Sequence, residues 1–548
     1  MVDIQNAPFF LTSAQAAWVK ATHAALTAEE KVGQLFCVMG GDYAPGVLES
    51  MVREGMIGGV LFRPVKSGTE IRADFAPLDR AAKVPLLKAA NLEEGGSGGM
   101  SDGTLFGWPM LTAATDAPDV AEKFGRVCGA EGASVGINWT FSPVCDLDLN
   151  YRNPITNVRT FGSNPARVKA MTERYVKAVQ DCGVAACAKH FPGDGVDYRD
   201  QHLHPTVNSL PAGEWYATYG AVYENLIEKG LMSVMVGHIA QPNVARDVDT
   251  SLSLEEALLP ASLSRALLTK VLRGRLGFNG VITSDATIMG GYCMAMARRD
   301  AIPASIAAGC DMLVFSTDLE EDYRYMLEAL ADGRLTMERL DEAVLRILAL
   351  KAKVCGNGAE NRPVPAAQWH REAADKAITL VKNRQPEKLP MTPDRYPLIR
   401  LVTLGKDTIP DGSVSKLTKE YLEKQGFQVE LYDPFADELH GTKDLPAGRL
   451  TLYMANYEQA SNQTVVRVNW CPKHALDIPR FLNEEVCVFV SLANPYHLQD
   501  VPRIRTYINA YTATKITIAL TIDKLMGRSE FRGVSPVDAF CGLPDTAI

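Results

Sequence analysis

The sequence has no C-x-x-C pair, no Lys/Arg block, no internal repeat and no low-complexity tract. Without C-x-x-C, a zinc ribbon or a thioredoxin-like redox site has no support. Without a basic block, and with 65 acidic against 56 basic residues for a net charge of −9, a general nucleic-acid or anionic-membrane binder is disfavoured. No apolar stretch reaches the roughly 18 residues that suggest a membrane-spanning helix. The first residues, MVDIQNAPFFLTSAQ, show neither a basic start nor a long apolar run, so no signal peptide is expected and the cytoplasm is the expected location. No G-x-G-x-x-G follows an early apolar run, which weakens a dinucleotide-binding fold, and no cofactor is expected. The 11 cysteines are odd in number; Cys37, Cys145, Cys187, Cys310 and Cys487 sit in apolar runs, where free thiols behave as small core residues.

What is there is a 548-residue chain of ordinary globular composition, 47% hydrophobic and 22% charged. Length alone suggests about three to four domains, although one α/β barrel can absorb 250 residues or more. Short apolar, β-branched runs recur at Gln34–Met39, Gly58–Phe62, Leu86–Asn91, Asn138–Asp146, Val184–His190, Met232–His238, Gly280–Asp285 and Met312–Ser316. Helical spacing separates most of them, as over Asp119–Val135, Pro165–Asp181 and Ala261–Leu276. Strands alternating with helices imply parallel pairing through crossovers. Eight such units predict an α/β fold of the (β/α)₈ TIM-like type, with an open doubly wound sheet as the alternative.

Thr336–Lys353 reads as the last helix of this barrel domain, residues 1–353. Residues 354–374, rich in Gly and Pro at their start, read as a linker. Apolar runs return at Leu398–Leu404, Gln428–Tyr432, Leu450–Met454 and Val486–Ser491, with a helical stretch at Val414–Gln425. They predict a smaller α/β sandwich domain over 375–548.

In a barrel, catalytic groups come from the C-terminal ends of strands. Here those ends read Asn91-Leu92-Glu93-Glu94-Gly95-Gly96, Asp146, Lys189-His190, His238 and Ser284-Asp285, and the loop after the fifth carries Asp200-Gln201-His202-Leu203-His204. A carboxylate ending a buried strand is costly unless paired or used; for Asp285 the alternative is a helix N-cap. Asp200 two residues before His202 can hold an imidazole nitrogen and set its tautomer; the alternative is a solvated loop. Lys189-His190 can bind sugar hydroxyls or phosphate, or form a buried pair at the barrel rim. His204 and His238 read as structural. His202-x-His204 with Lys189, His190, His238 and Asp285 also matches the ligand types of a metal-dependent amidohydrolase barrel. There, however, the H-x-H ends the first strand, because ligands need fixed geometry.

Taken together, these segments resemble glycoside hydrolase family 3, in particular its bacterial β-N-acetylglucosaminidases. Lys189–Gly195 (KHFPGDG) followed by Asp200-Gln201-His202 resembles KHFPGHG…D-S-H. Gly280–Met289 (GVITSDATIM) resembles the nucleophile segment, and Phe141–Asp146 (FSPVCD) with Arg159–Gly162 (RTFG) resembles APV-x-D and RSFG. Ala377–Asn383, Ser491–Pro495 and Phe531–Pro536 are similar to parts of the family's C-terminal sandwich domain.

The resemblance implies Asp285 as nucleophile, His202 as general acid/base and Asp200 as its partner. It implies Lys189, His190 and Arg159 as residues holding the sugar, with Asn91 and Glu93 from the third strand end. It implies a retaining, exo-acting hydrolase of terminal β-linked N-acetylhexosamine, with another family 3 specificity, a phosphorylase or a silent sugar-binding protein as alternatives. The second domain is then supportive, closing one side of the cleft or mediating a homodimer. Two departures stand out. The family's D-Q-E-G-G becomes Asn91–Gly96, which puts either Leu92 or Asn91 where a sugar-binding Asp belongs. Asp194 replaces the second His of KHFPGHG.

Overall fold

The computed structural model describes residues 2–356, 363–436, 442 and 445–548. The eight apolar runs become the eight strands β1 Phe36–Met39, β2 Gly59–Leu61, β3 Leu87–Ala90, β4 Trp139–Thr140, β5 Ala185–Phe191, β6 Ser233–Val236, β7 Val281–Ala286 and β8 Met312–Val314. They close into a barrel in chain order, every neighbouring pair parallel, with β8 pairing back onto β1. Near-continuous burial of these strands fits a parallel sheet covered on both faces. Within the barrel, Trp139 packs edge-on against Phe141 with ring centres 4.6 Å apart, and its indole N–H donates to Ser233 Oγ at 2.8 Å. The bulky ring therefore fills the interior without orphaning its polar atom.

Helix predictions hold where periodicity was clean. Pro165–Asp181 is helical over the predicted span, and Met337–Val354 starts from a Thr336 cap that accepts from the Arg339 amide. The expected helix over Ala261–Leu276 is instead a 3-10 turn, Ala261–Leu263, followed by a π-helix, Ala266–Arg275; Ser264, in extended backbone, interrupts it. At the N-terminal rim, buried Asp311 just before β8 is gripped by Arg273 at 2.5 Å, Arg339 at 2.8 Å and Arg346 at 3.4 Å.

The chain forms two compact units that are not contiguous in sequence. The barrel unit comprises Met1–Phe106, Ala121–Asn153 and Pro165–Ala366; the second comprises Gly107–Val120, Pro154–Asn164 and Ala367–Ile548. Part of the expected linker, 357–362, lies outside the described residues, and helix Ala366–Ala377 begins inside it. In the second unit, β9 Thr379–Asn383, β10 Leu398–Gly405, β11 Gln428–Leu431, β12 Arg449–Asn456, β13 Val486–Ser491 and β14 Thr506–Asn509 form one sheet in the order β9-β14-β13-β12-β10-β11. Its pairs are parallel except β9 with β14. The two early segments join this unit through specific bonds: Trp108 N to Thr512 Oγ at 3.0 Å, Val534 N to Ala114 O at 2.9 Å and Ser163 N to Pro536 O at 3.2 Å. Sequence periodicity carries no sign of such returns. Among the described residues, no helix is long and apolar enough to cross a membrane.

Candidate active site

The C-terminal end of β5 organises the barrel mouth. β4 is only two residues long, yet the chain after it stays beside β5: Cys187 N donates to Ser142 O, Lys189 N to Pro143 O and Cys145 N to Lys189 O. That path delivers Asp146 beside His190. The Asp146 carboxylate accepts from the His190 amide at 3.1 Å, lies 2.7 Å from His190 Nδ1 and accepts from the Asp194 amide at 2.8 Å. Nε2 of His190 is thereby aimed at Asp285, 3.9 Å from its Oδ2. An imidazole held through one nitrogen by a carboxylate has its ring orientation and tautomer set by that bond.

Lys189, the preceding residue, is buried and paired. Its Nζ lies 2.5 Å from Glu93 Oε1 and donates to Asn91 Oδ1 at 3.2 Å. Lys189, Glu93 and Asn91 thus meet in the barrel unit. Leu92 lies between the two β3-end residues with its side chain fully buried, whereas Asn91 is exposed. Of the two registers the sequence left open, only the one using Asn91 leaves a polar side chain at the mouth. Arg159 lies in the 3-10 turn Asn157–Arg159, in a segment that belongs to the second unit, where its guanidinium donates to Ile155 O at 3.3 Å.

The loop after β5 carries the predicted pair, and the pair forms. His202 Nδ1 lies 2.7 Å from Asp200 Oδ1, which also accepts from the His202 amide at 2.8 Å. The Asp200 side chain is fully buried, while that of His202 is 23% exposed. The carboxylate is therefore an internal prop and the imidazole the accessible group. The loop is fastened to the segment after β7: Gly290 N donates to His202 O at 2.8 Å and Gly291 N to Gln201 O at 3.1 Å. Both positions need glycine. A Cβ on Gly290 would stand 2.3 Å from Leu203 O, and one on Gly291 would stand 2.6 Å from Gln201 O.

Asp285 lies in β7 with its Oδ1 accepting from the Ala286 amide at 2.8 Å. The N-cap alternative is excluded: the next helix, Gly290–Cys293, has Met289 at its cap and no side-chain bond there. Burial works to raise the Asp285 carboxyl. His190, then His238, His202 and Lys189 outweigh it, and the net shift is downward, so the group is ionised at neutral pH. His238 moves below the usual imidazole range, chiefly through burial. Both its nitrogens are engaged, Nδ1 at 2.9 Å from Ser262 Oγ and Nε2 at 2.9 Å from Ala286 O. The carbonyl can only accept, so the proton is assigned to Nε2. His204 is exposed. Among the described residues, no three of His, Cys, Asp and Glu are grouped to hold a metal ion.

Sequence reasoning assigned no role to three contributors. Asp146 was visible as a strand end, but its partner lies 44 residues away. Gln201 and the Gly290-Gly291 pair had no signal beyond their proximity to motif residues.

The profile of the glycosyl hydrolase family 3 N-terminal domain matches residues 27–350. The chain is 42% identical to a β-N-acetylglucosaminidase/β-glucosidase from Cellulomonas fimi, with all of both chains covered. It is 33% identical to a β-hexosaminidase from Chromobacterium violaceum over 50% of this chain and 76% of that one. Among solved structures, β-glucoside phosphorylase BglX bound to 2FGlc superposes with a TM-score of 0.92 at 42% identity, covering 98% of this chain and 99% of that one. A β-N-acetylglucosaminidase from Paenibacillus sp. shares the fold, with a TM-score of 0.78 at 22% identity over 95% and 100% of the two chains. The barrel, the order of its motifs and these similarities together establish that the chain belongs to glycosyl hydrolase family 3.

Proposed function

We propose that this protein is a retaining, exo-acting β-glycosidase that removes a terminal β-linked N-acetylhexosamine, with β-glucosides as the competing substrate class. The observation that carries the reading is an ionised Asp285 at the end of β7 and an accessible His202 whose Nδ1 is held by buried Asp200, fastened together through Gly290. In the first step Asp285 attacks the anomeric carbon while protonated His202 gives its Nε2 proton to the departing glycosidic oxygen. In the second, neutral His202 takes a proton from water as that water displaces Asp285. Asp200 keeps the Nδ1 proton in place throughout and stabilises the imidazolium form that starts the first step and is restored in the second. Lys189, His190, Asn91 and Glu93 are proposed to hold the sugar hydroxyls.

A second reading replaces water by inorganic phosphate. It is favoured by the imidazole at the acid/base position, which after giving up its proton is neutral and does not repel an anion as a carboxylate would. The phosphorylase activity named for BglX points the same way.

p-Nitrophenyl β-glycosides of N-acetylglucosamine and glucose, assayed with and without phosphate, separate these readings. Release from the N-acetylglucosaminide alone supports the first, and sugar 1-phosphate as product supports the second. No turnover of any glycoside would sink both and leave a sugar-binding protein. A 2-fluoro glycoside should add one sugar mass to the intact protein, on the peptide carrying Asp285.

A further inference from the structure

Asp194, the acid that departs from the family's KHFPGHG pattern, has every hydrogen-bond neighbour of its carboxylate donating to it. Oδ1 accepts from Asn153 Nδ2 at 2.8 Å and from the Gly195 amide at 2.7 Å, and Oδ2 accepts from Gln201 Nε2 at 3.3 Å. The Gln201 amide cannot turn over, because its Oε1 accepts from the His238 backbone N–H at 2.8 Å. Its NH₂ therefore has to face Asp194. Asp194 and Gln201 are both buried, and Gln201 sits between Asp200 and His202.

We propose that Asp194 is a positioning residue for the Asp200–His202 pair, acting through the side chain of Gln201. The tripeptide 200–202 is fastened at its main chain to Gly290 and Gly291, and at its central side chain to His238, two residues past the end of β6, and to Asp194. Removing the carboxylate leaves the main-chain fastenings intact but puts donor against donor at Gln201. The loop is then free to shift His202 relative to the leaving-group oxygen while Asp285 stays in place. A displacement of this kind affects proton donation and leaves attack by Asp285 largely unchanged. The proposal rests on His202 being the acid/base group.

The test compares wild type, Asp194→Asn and the polarity swap Asp194→Asn/Gln201→Glu. In the swap, the glutamate carboxylate still accepts from the His238 amide and also accepts from the asparagine NH₂ introduced opposite it. Asp194→Asn should lower kcat on an alkyl or disaccharide substrate about 10- to 100-fold, a partial loss of the roughly 10²–10⁴-fold that general acid–base help supplies. It should change kcat on a dinitrophenyl glycoside little and leave KM near wild type, and the swap should recover most of the loss. Hydrogen–deuterium exchange over 197–204 should quicken in Asp194→Asn and return towards wild type in the swap, a readout that needs no activity. Equal losses on both leaving groups, or unchanged exchange in that loop, would overturn the proposal. If Asp194→Asn does not fold, the swap decides: wild-type leaving-group dependence and exchange support the role, and their loss in a folded swap refutes it. An inactive wild type with the exchange pattern intact would count against the acid/base reading and not against the tether.

Discussion

The amide of Gly290, five residues after Asp285, donates to the carbonyl oxygen of His202 at 2.8 Å. This bond ties the loop that carries the proposed acid/base residue to the segment that follows the strand carrying the proposed nucleophile. Gly290→Ala would set a Cβ 2.3 Å from Leu203 O and must push the loop outward. The expected cost is about 1–3 kcal/mol of stability, as for other overpacked sites. Activity on poor leaving groups should fall more than activity on activated aryl ones. A folded variant with unchanged leaving-group dependence would show that the loop seats itself without this bond.

His202→Ala should reduce turnover of substrates with poor leaving groups by about 10²–10⁴-fold and spare dinitrophenyl glycosides in the first step. Asp200→Asn should follow the same pattern more weakly, because the imidazole remains but its tautomer is no longer held. Brønsted plots against leaving-group pKa measure both. Parallel lines for wild type and His202→Ala would argue against an acid role.

Asp285→Ala should remove turnover on every substrate, on the order of 10³–10⁶-fold for loss of a nucleophile. Azide should restore release of an activated aryl glycoside and yield the glycosyl azide of inverted configuration. Retention in that product, or residual activity near wild type, would remove Asp285 from its role.

The pH response of Asp194 separates stability from activity. Burial, then the charge of Asp146, raises its carboxyl to about 6, against the opposing effects of His190, Gly195 and Asn153. A carboxyl raised above its ordinary value contributes stability that is fully present below about pH 4 and lost as pH rises through about 6, a swing of about 3 kcal/mol. The Tm difference between wild type and Asp194→Asn should therefore move in favour of wild type as pH falls from about 7.5 to about 5. The three donors around Asp194 need its ionised form, so wild-type kcat on poor leaving groups should fall over the same interval. A Tm difference that does not change with pH would contradict the raised value.

Lys189 and Glu93 are both buried and 2.5 Å apart. Lys189→Met leaves an uncompensated carboxylate and should cost about 3–5 kcal/mol. Pairing it with Glu93→Gln should recover much of that stability, while KM stays high if these groups hold the sugar. Thermal unfolding of the single and double variants measures the first part, and steady-state kinetics the second.

The sequence by itself determined the barrel. Eight β-branched runs separated by helical spacing can bury their apolar faces in few ways, and each run became a strand in the predicted order. It also determined the Asp200–His202 pair, because two residues in one loop are near neighbours in any fold. Extended backbone at Ser264 broke the helix expected over Ala261–Leu276, and the return of segments 107–120 and 154–164 to the second unit left no periodic trace. Only the tertiary structure decided which polar strand ends meet. Asp146 reaches His190 across 44 residues, Lys189 reaches Asn91 across 98, and Gln201 joins Asp194 to His238. These partners are set by strand register and by the close approach that glycine permits at Gly290 and Gly291, and both are properties of the closed barrel that local sequence does not encode.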